Sequence, residues 1–298
     1  QALKALGVSR PDLEEQLPSQ VTIGLQRIYA RQQVDGGWGW WDKDKSSVPV
    51  STYVVFGLAK AKQAGFTVDE NVLNRGVTFL RRSLKALTGL KDYELNQQAF
   101  ALYALAEAGA AEPNRAGALF DARERLGKYA QGYLALALGV IGDDAAEERI
   151  QTLLTSLEGE AVVSATAAHW EEGQVDLWNM NTDTRSTAVV LTAIARYDKT
   201  NPLAANSVRW LMSARKADRW ETTQENAWAI IALTEWMAAT GELEGNYGWQ
   251  AELNGGPLQW GWDGNDRIIE AADRLEIDQL CCSIPIVRGM PTMDEVRA

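Results

Sequence analysis

The stretch "RQQVDGGWGWWDKDKSSVPVSTYVV", residues 31–55, decides the fold because its pattern returns twice further along the chain. It opens on a turn rich in tryptophan and glycine, passes through small polar residues and ends in a segment that is apolar on nearly every side. "AHWEEGQVDLWNMNTDTRSTAVV" (168–190) and "SARKADRWETTQENAWAII" (213–231) keep the same order of Trp-bearing turn, then Ser, Thr or Asn, then apolar run. A helix that is apolar all round must be buried all round. The segment "NVLNRGVTFLRRSLKAL" (71–87) differs in kind: Leu73, Val77, Leu80 and Leu84 follow i, i+4, i+7, i+11 and leave one side polar, as do Val21, Leu25 and Ile28 over a shorter span.

The spacing predicts helices over 17–33, 49–64, 69–87, 92–109, 113–125, 128–141, 144–157, 184–197, 202–215 and 223–240, with no convincing period-2 strand between them. Buried and half-exposed helices in alternation describe an inner ring wrapped by an outer one. The fold class is therefore all-α, a diverged helical-hairpin repeat stacked or closed into a ring. In such a turn an indole can cover the apolar end of a hairpin while its N–H reaches a carbonyl at a helix terminus. Gly36, Gly37 and Gly39 let the backbone fold back there. After Gly241 the character changes, and "NYGWQAELNGGPLQWGW" (246–262) reads as two short strands about Asn-Gly-Gly. The expected division is a helical domain over 1–243, then a short β-hairpin and irregular tail over 244–298.

Composition narrows the function classes. Among 298 residues, 46% are hydrophobic and 23% charged, as in globular proteins. The longest apolar run, "YLALALGVIG" (133–142), is about half of a bilayer span, so direct membrane insertion is not expected. The net charge is −11 with basic residues scattered among acidic ones, which argues against a nucleic-acid partner. The two cysteines, Cys281 and Cys282, are adjacent and outside any metal-ligand spacing. Neither a metal nor another cofactor is expected. The chain opens at Gln1 without a basic segment leading into an apolar one, so a processed chain or an excised piece is expected.

The turns and the helices after them permit a comparison. "DGGWGWW" (35–41) with "STYVVFGLAKAKQAG" (51–65), "NTDTRSTAVVLTAIARYDKTNPLAANSVRWLMSAR" (181–215) and "RWETTQENAWAIIALTEW" (219–236) resemble, in order and spacing, the thioester domain of the alpha-2-macroglobulins and complement thioester proteins, most closely the bacterial members. "HWEEG" (169–173) is similar to a His-Trp-Glu of animal members, and "QALKALGV" (1–8) to the stretch that follows the reactive motif in bacterial ones. The resemblance covers roughly residues 1–243. It implies an α/α toroid, the ring of hairpins also used by terpenoid cyclases and prenyltransferases, with the C-terminal hairpin returning to an adjacent β domain. It further implies a fragment of a broad-spectrum protease inhibitor, with proteases and neighbouring β domains as partners. The location implied is extracytoplasmic, at the periplasm or cell surface, with a lipoprotein anchor among the forms the parent could take.

In that family a cysteine and a glutamine three residues later form a buried thioester, which a protease nucleophile attacks after activation. No such cysteine is present here; the nearest match is "LEEQ" (13–16), with leucine where sulfur is needed. The loop "WGWWDKDKSSVP" (38–49) lacks the histidine of hydroxyl-preferring members, which implies direct transfer to amines in a parent that carries a thioester. No residue is expected to be catalytic. Trp38, Trp40, Trp41, Asp42, His169, Trp170 and Trp220 are the candidates for an interface that shields the thioester, with Trp178 at the same exposed end of the ring.

Three rivals remain beside this reading. Gln33, Gly36 and Trp38 match the Gln-x-x-Gly-x-Trp turn of bacterial triterpene cyclases, yet neither "DKDK" (42–45) nor "DTR" (183–185) supplies their Asp-x-Asp-Asp acid. An α/α-barrel glycosidase needs two facing carboxylates, and Glu158 with Glu160 or Glu171 with Glu172 read instead as solvated edges. A pure protein-interaction module is the third.

Overall fold

The computed structural model describes residues 11–42, 44–173, 176–216, 219–241, 251–253 and 256–258. The chain divides into two compact units, Gln1–Gly241 and Glu242–Ala298. In the second unit, strands Ala251–Leu253 and Gly256–Leu258 pair antiparallel, with Leu253 opposite Gly256. Cys281, Cys282 and the tail from 263 onward lie outside the described residues.

The first unit is an α/α toroid built of ten α-helices among the described residues. The outer helices are α1 (Pro11–Ala30), α3 (Glu70–Ser83), α5 (Pro113–Asp121), α7 (Ala146–Gly159) and α9 (Ala204–Ser213). The inner helices are α2 (Val48–Gln63), α4 (Asp92–Glu107), α6 (Lys128–Ile141), α8 (Asp183–Tyr197) and α10 (Thr223–Thr240). Consecutive inner helices pack against one another, and Trp228 of α10 stacks on Phe56 of α2 with ring centres 5.4 Å apart. The alternation seen in the sequence follows from this arrangement. Leu95 to Ala106 of α4 and Tyr129 to Leu138 of α6 are buried almost without interruption, whereas α3 buries only Leu73, Gly76, Val77 and Leu80.

Local chemistry sets the ends. Asp69 caps α3 by accepting the N–H groups of Asn71 at 2.8 Å and Val72 at 3.2 Å. Thr222 and Glu225 form a capping box at the start of α10, which closes on Gly241 in the left-handed conformation, φ 64°. Several boundaries differ from the pattern-based ones, among them the end of α5, which stops at Asp121 and not at 125. Helix α1 starts at Pro11 and runs through Pro18, so "LEEQ" lies on its first turns. Helix α3 stops at Ser83, and Leu84 stays in the core although its backbone is extended. The expectation of no strands also needs correction, since Val162–Val163 and Ala168–His169 form a two-residue ribbon.

At the C-terminal ends of the inner helices an ionic belt ties four of them together. Lys60 of α2 meets Glu107 of α4 at 2.6 Å, Arg196 of α8 lies 3.5 Å from the same carboxylate, and Arg196 also pairs with Glu235 of α10. Burial on its own would raise the Glu107 carboxyl, but hydrogen bonds from Lys60, Tyr103 and Gln63 and the Lys60 charge outweigh it and bring the pKa down to about 2. Because this pKa is depressed relative to the ordinary 4.5, the stabilisation is full above pH 4.5 and is lost as pH falls toward 2. Glu107→Gln should lower stability by about 3 kcal/mol at neutral pH, since it leaves buried cations short of a partner. Urea unfolding at a series of pH values should show the wild type losing stability faster than the variant between pH 4.5 and 2; parallel pH profiles would count against the belt.

Candidate functional site

Three of the candidate tryptophans lie in the interior. Trp38, Trp170 and Trp220 are at most 6% exposed, and each closes one outer–inner junction in the same way. The indole N–H of Trp38 donates to the carbonyl of Ile28 at 2.8 Å, that of Trp170 to Leu157 at 2.6 Å and that of Trp220 to Leu211 at 2.9 Å. Each acceptor is the third residue from the end of its outer helix, where carbonyls lack intrahelical partners. The same tryptophans donate their backbone N–H groups to a small polar side chain on the inner helix: Ser51 at 2.8 Å, Thr187 at 3.1 Å and Asn226 at 3.2 Å. The Ser, Thr or Asn between turn and apolar run is thus the second half of a clamp.

The turn before α2 needs its glycines for this packing. Gly36 has φ 93°, and a Cβ there would come within 2.5 Å of the Arg75 carbonyl oxygen. Gly76 on α3 gives the Trp38 ring its seat, because a Cβ at that position would lie 2.8 Å from the indole edge.

The other candidates separate from these. Trp40 and Trp41 are 54% and 77% exposed, and Trp178 is 70% exposed while stacking on Tyr93 with ring centres 5.4 Å apart. Asp42 makes a surface pair with Arg31 at 3.3 Å. His169 is engaged: its ring stacks on Trp210 at 4.5 Å and its Nε2 lies 2.8 Å from Glu171. The expectation of one exposed tryptophan surface is therefore corrected, because the clamp indoles are needed inside. Trp40, Trp41 and Trp178 all sit on connections that lead into the N-terminal ends of inner helices.

That rim also holds residues the sequence did not single out. Glu172, read as part of a solvated edge, instead caps α6 by accepting the N–H groups of Lys128 and Tyr129, both at 3.1 Å, and the Ser186 hydroxyl at 2.8 Å. Asp176 accepts the Tyr129 hydroxyl at 2.7 Å and the Asn96 amide at 3.2 Å. Burial pushes its carboxyl up, but these bonds and those from Asn179 outweigh that and leave it below the usual range. Arg185 is buried among the rings of Tyr53, Phe100, Tyr129 and Tyr133, and donates to the Asn179 carbonyl at 2.7 Å and the Tyr133 hydroxyl at 3.2 Å. A charge at the start of the largely apolar run 186–195 was the available signal. Beside this network a cavity of about 580 Å³ opens between Tyr93, Trp178, Arg125, Lys128 and Asp176. The centre of the toroid, by contrast, is filled: Phe100 stacks on Tyr133 at 4.5 Å, and Trp228 meets Tyr133 at 5.0 Å. Among the described residues no three His, Cys, Asp or Glu side chains converge as metal ligands would. No helix among them is long and apolar enough to cross a membrane.

The clamp and the exposed rim should respond differently to mutation. Trp170→Phe keeps most of the ring but leaves the Leu157 carbonyl without its donor, which should cost about 1–3 kcal/mol in urea unfolding. Trp41→Ala should change stability by no more than about 0.5 kcal/mol. Equal losses at the two positions would remove the distinction.

No family model matches the chain. Two curated relatives are both alpha-2-macroglobulins. That of Escherichia coli is 25% identical over 278 residues, which is 86% of this chain and 16% of the relative. That of Thermotoga maritima is 36% identical over 88 residues, 29% of this chain and 6% of the relative. The chain thus spans less than a fifth of the length of either. Among solved structures, native Escherichia coli alpha-2-macroglobulin from domain MG7 to the C-terminus superposes with a TM-score of 0.62 at 22% identity, covering 85% of this chain and 38% of that one. Salmonella alpha-2-macroglobulin reacted with methylamine gives 0.62 at 22% identity, covering 86% of this chain and 16% of that one. In sequence and in fold alike, this chain is similar to a segment of the bacterial alpha-2-macroglobulins.

Proposed function

We propose that the chain is part of a bacterial alpha-2-macroglobulin-like protease trap, a broad-spectrum inhibitor rather than an enzyme, and that its toroid is the thioester-type domain of that molecule. The observation that carries the reading is the likeness to the Escherichia coli relative along 86% of the chain. Structures of that relative have been obtained after activation by trypsin and by porcine elastase, and of the Salmonella relative after reaction with methylamine. An amine as reactant agrees with the absence of histidine from residues 38–49. No Cys-x-Glu-Gln occurs in the 298 residues, so they cannot form the thioester of such a trap by themselves. The role left to this chain is to shield that group. Trp40, Trp41 and Trp178, exposed on the connections into inner helices, offer the apolar surface for docking against neighbouring β domains. An extracytoplasmic location, anchored or free, belongs to the same reading.

The filled centre of the toroid weakens the cyclase alternative, because a substrate held inside the ring would need the volume that Phe100, Tyr133 and Trp228 occupy. The test uses the protein encoded by the whole reading frame. After trypsin treatment it should hold the protease in a high-mass species that cleaves a small chromogenic peptide and spares casein. Free digestion of casein would overturn the trap, and esters with glycerol as the main product of activation would overturn amine transfer. In the same protein, Trp40→Ala with Trp41→Ala should increase dye binding to exposed apolar surface without loss of helical circular dichroism.

A further inference from the structure

The connections into α2, α8 and α10 each carry a clamp tryptophan, but the connection 84–91 into α4 has none. In the first hairpin the Trp38 indole fills the seam between its connection, α2 and the next outer helix, where it lies beside Val55 and Gly76. The seam in the same place of the second hairpin, between connection 84–91, α4 and α5, is a cavity of about 380 Å³. Its apolar lining is Leu87, Leu102, Ala118 and Leu119, with Lys85 and Asn114 beside them. Gln98 of α4 also lines it and is only 8% exposed. The amide oxygen of Gln98 accepts the Lys85 backbone N–H at 3.1 Å, as Ser51 accepts that of Trp38, and this bond fixes which way the amide points. Its Nε2 has no hydrogen-bond partner among the described residues. A buried amide donor without an acceptor is destabilising, and an occupant that supplies one removes that cost. At the mouth Arg115 is loosely held, 3.8 Å from Glu112 and 3.4 Å from the Leu84 carbonyl.

We propose that this seam binds a small planar aromatic acid. The ring takes the place that the clamp indole fills in the first hairpin, a carboxylate oxygen accepts from Gln98 Nε2, and Arg115 supplies the positive potential that favours an anion over a neutral ring. The volume lies at the lower end of the range for small-ligand pockets, about 300–1,000 Å³. The Gln98 donor is buried, so binding includes a shift of the lining side chains to reach it.

The test is a titration of the ¹⁵N-labelled 298-residue protein with indole-3-carboxylate, followed at the Gln98 side-chain amide, which Gln98→Met identifies by its loss. Indole-3-carboxylate should give a saturable shift of that signal, and indole, which has no acceptor, should bind roughly tenfold more weakly. Arg115→Gln should weaken the acid several-fold and leave indole unchanged. Leu87→Trp should fill the seam, raise Tm by roughly 2–4 °C and abolish binding; Ala118→Leu reads the same point if that variant does not fold. Absence of a saturable shift at Gln98, equal affinity for acid and indole, or undiminished binding to a folded filled variant would each overturn the proposal.

Discussion

An outer helix that ends near an inner one leaves carbonyls facing apolar surroundings, and the chain must still cross from one layer to the other without stranding them. In three of the five hairpins a single tryptophan meets that requirement with two hydrogen bonds, one from its indole to the outer helix and one from its backbone to the inner helix. The aromatic body covers the apolar end at the same time. The rest of the toroid follows from this fastening, because inner helices that carry no polar face can only exist where each end is held and each side is covered. In the other two hairpins an amide side chain of α4 receives a backbone N–H of the connection: Gln98 that of Lys85, and Asn96 that of Gly127.

The helices themselves were legible because their chemistry is local. The segments 128–141 and 223–240 read from spacing alone are the helices found. The end of α3 was not, because Leu84 keeps the helical stripe while leaving the helix, and periodicity records burial rather than backbone conformation. The clamp was legible as a motif and as a hydrogen-bonding need, while its partition into buried Trp38, Trp170 and Trp220 and exposed Trp40, Trp41 and Trp178 was not. Adjacent residues such as Trp38 and Trp40 share composition and spacing, and only the fold decides which indole points inward.

The rim network escaped the sequence for a related reason. Glu172 and Asp176 act on α6, more than forty positions away, through backbone N–H groups and a tyrosine hydroxyl that no local pattern announces. A pair of neighbouring glutamates looks like solvated surface until another helix begins beside it. Once it does, the carboxylate meets the positive end of that helix, which is where an anion is stabilised.

Arg185 gives the rim a further property. Its guanidinium is held by a peptide carbonyl, a tyrosine hydroxyl and aromatic faces rather than by a carboxylate. Burial raises the pKa of the surrounding Tyr129 and Tyr133 still further from neutrality. None of these supports gains or loses a proton across the range in which carboxylates and histidine titrate. The bond from Arg185 to the Asn179 carbonyl is thus an anchor that acidity does not govern, in contrast to the ionic belt at the opposite ends of the helices. The same mouth also holds the carboxylates of Glu172 and Asp176, so acid reaches it through them and not through Arg185.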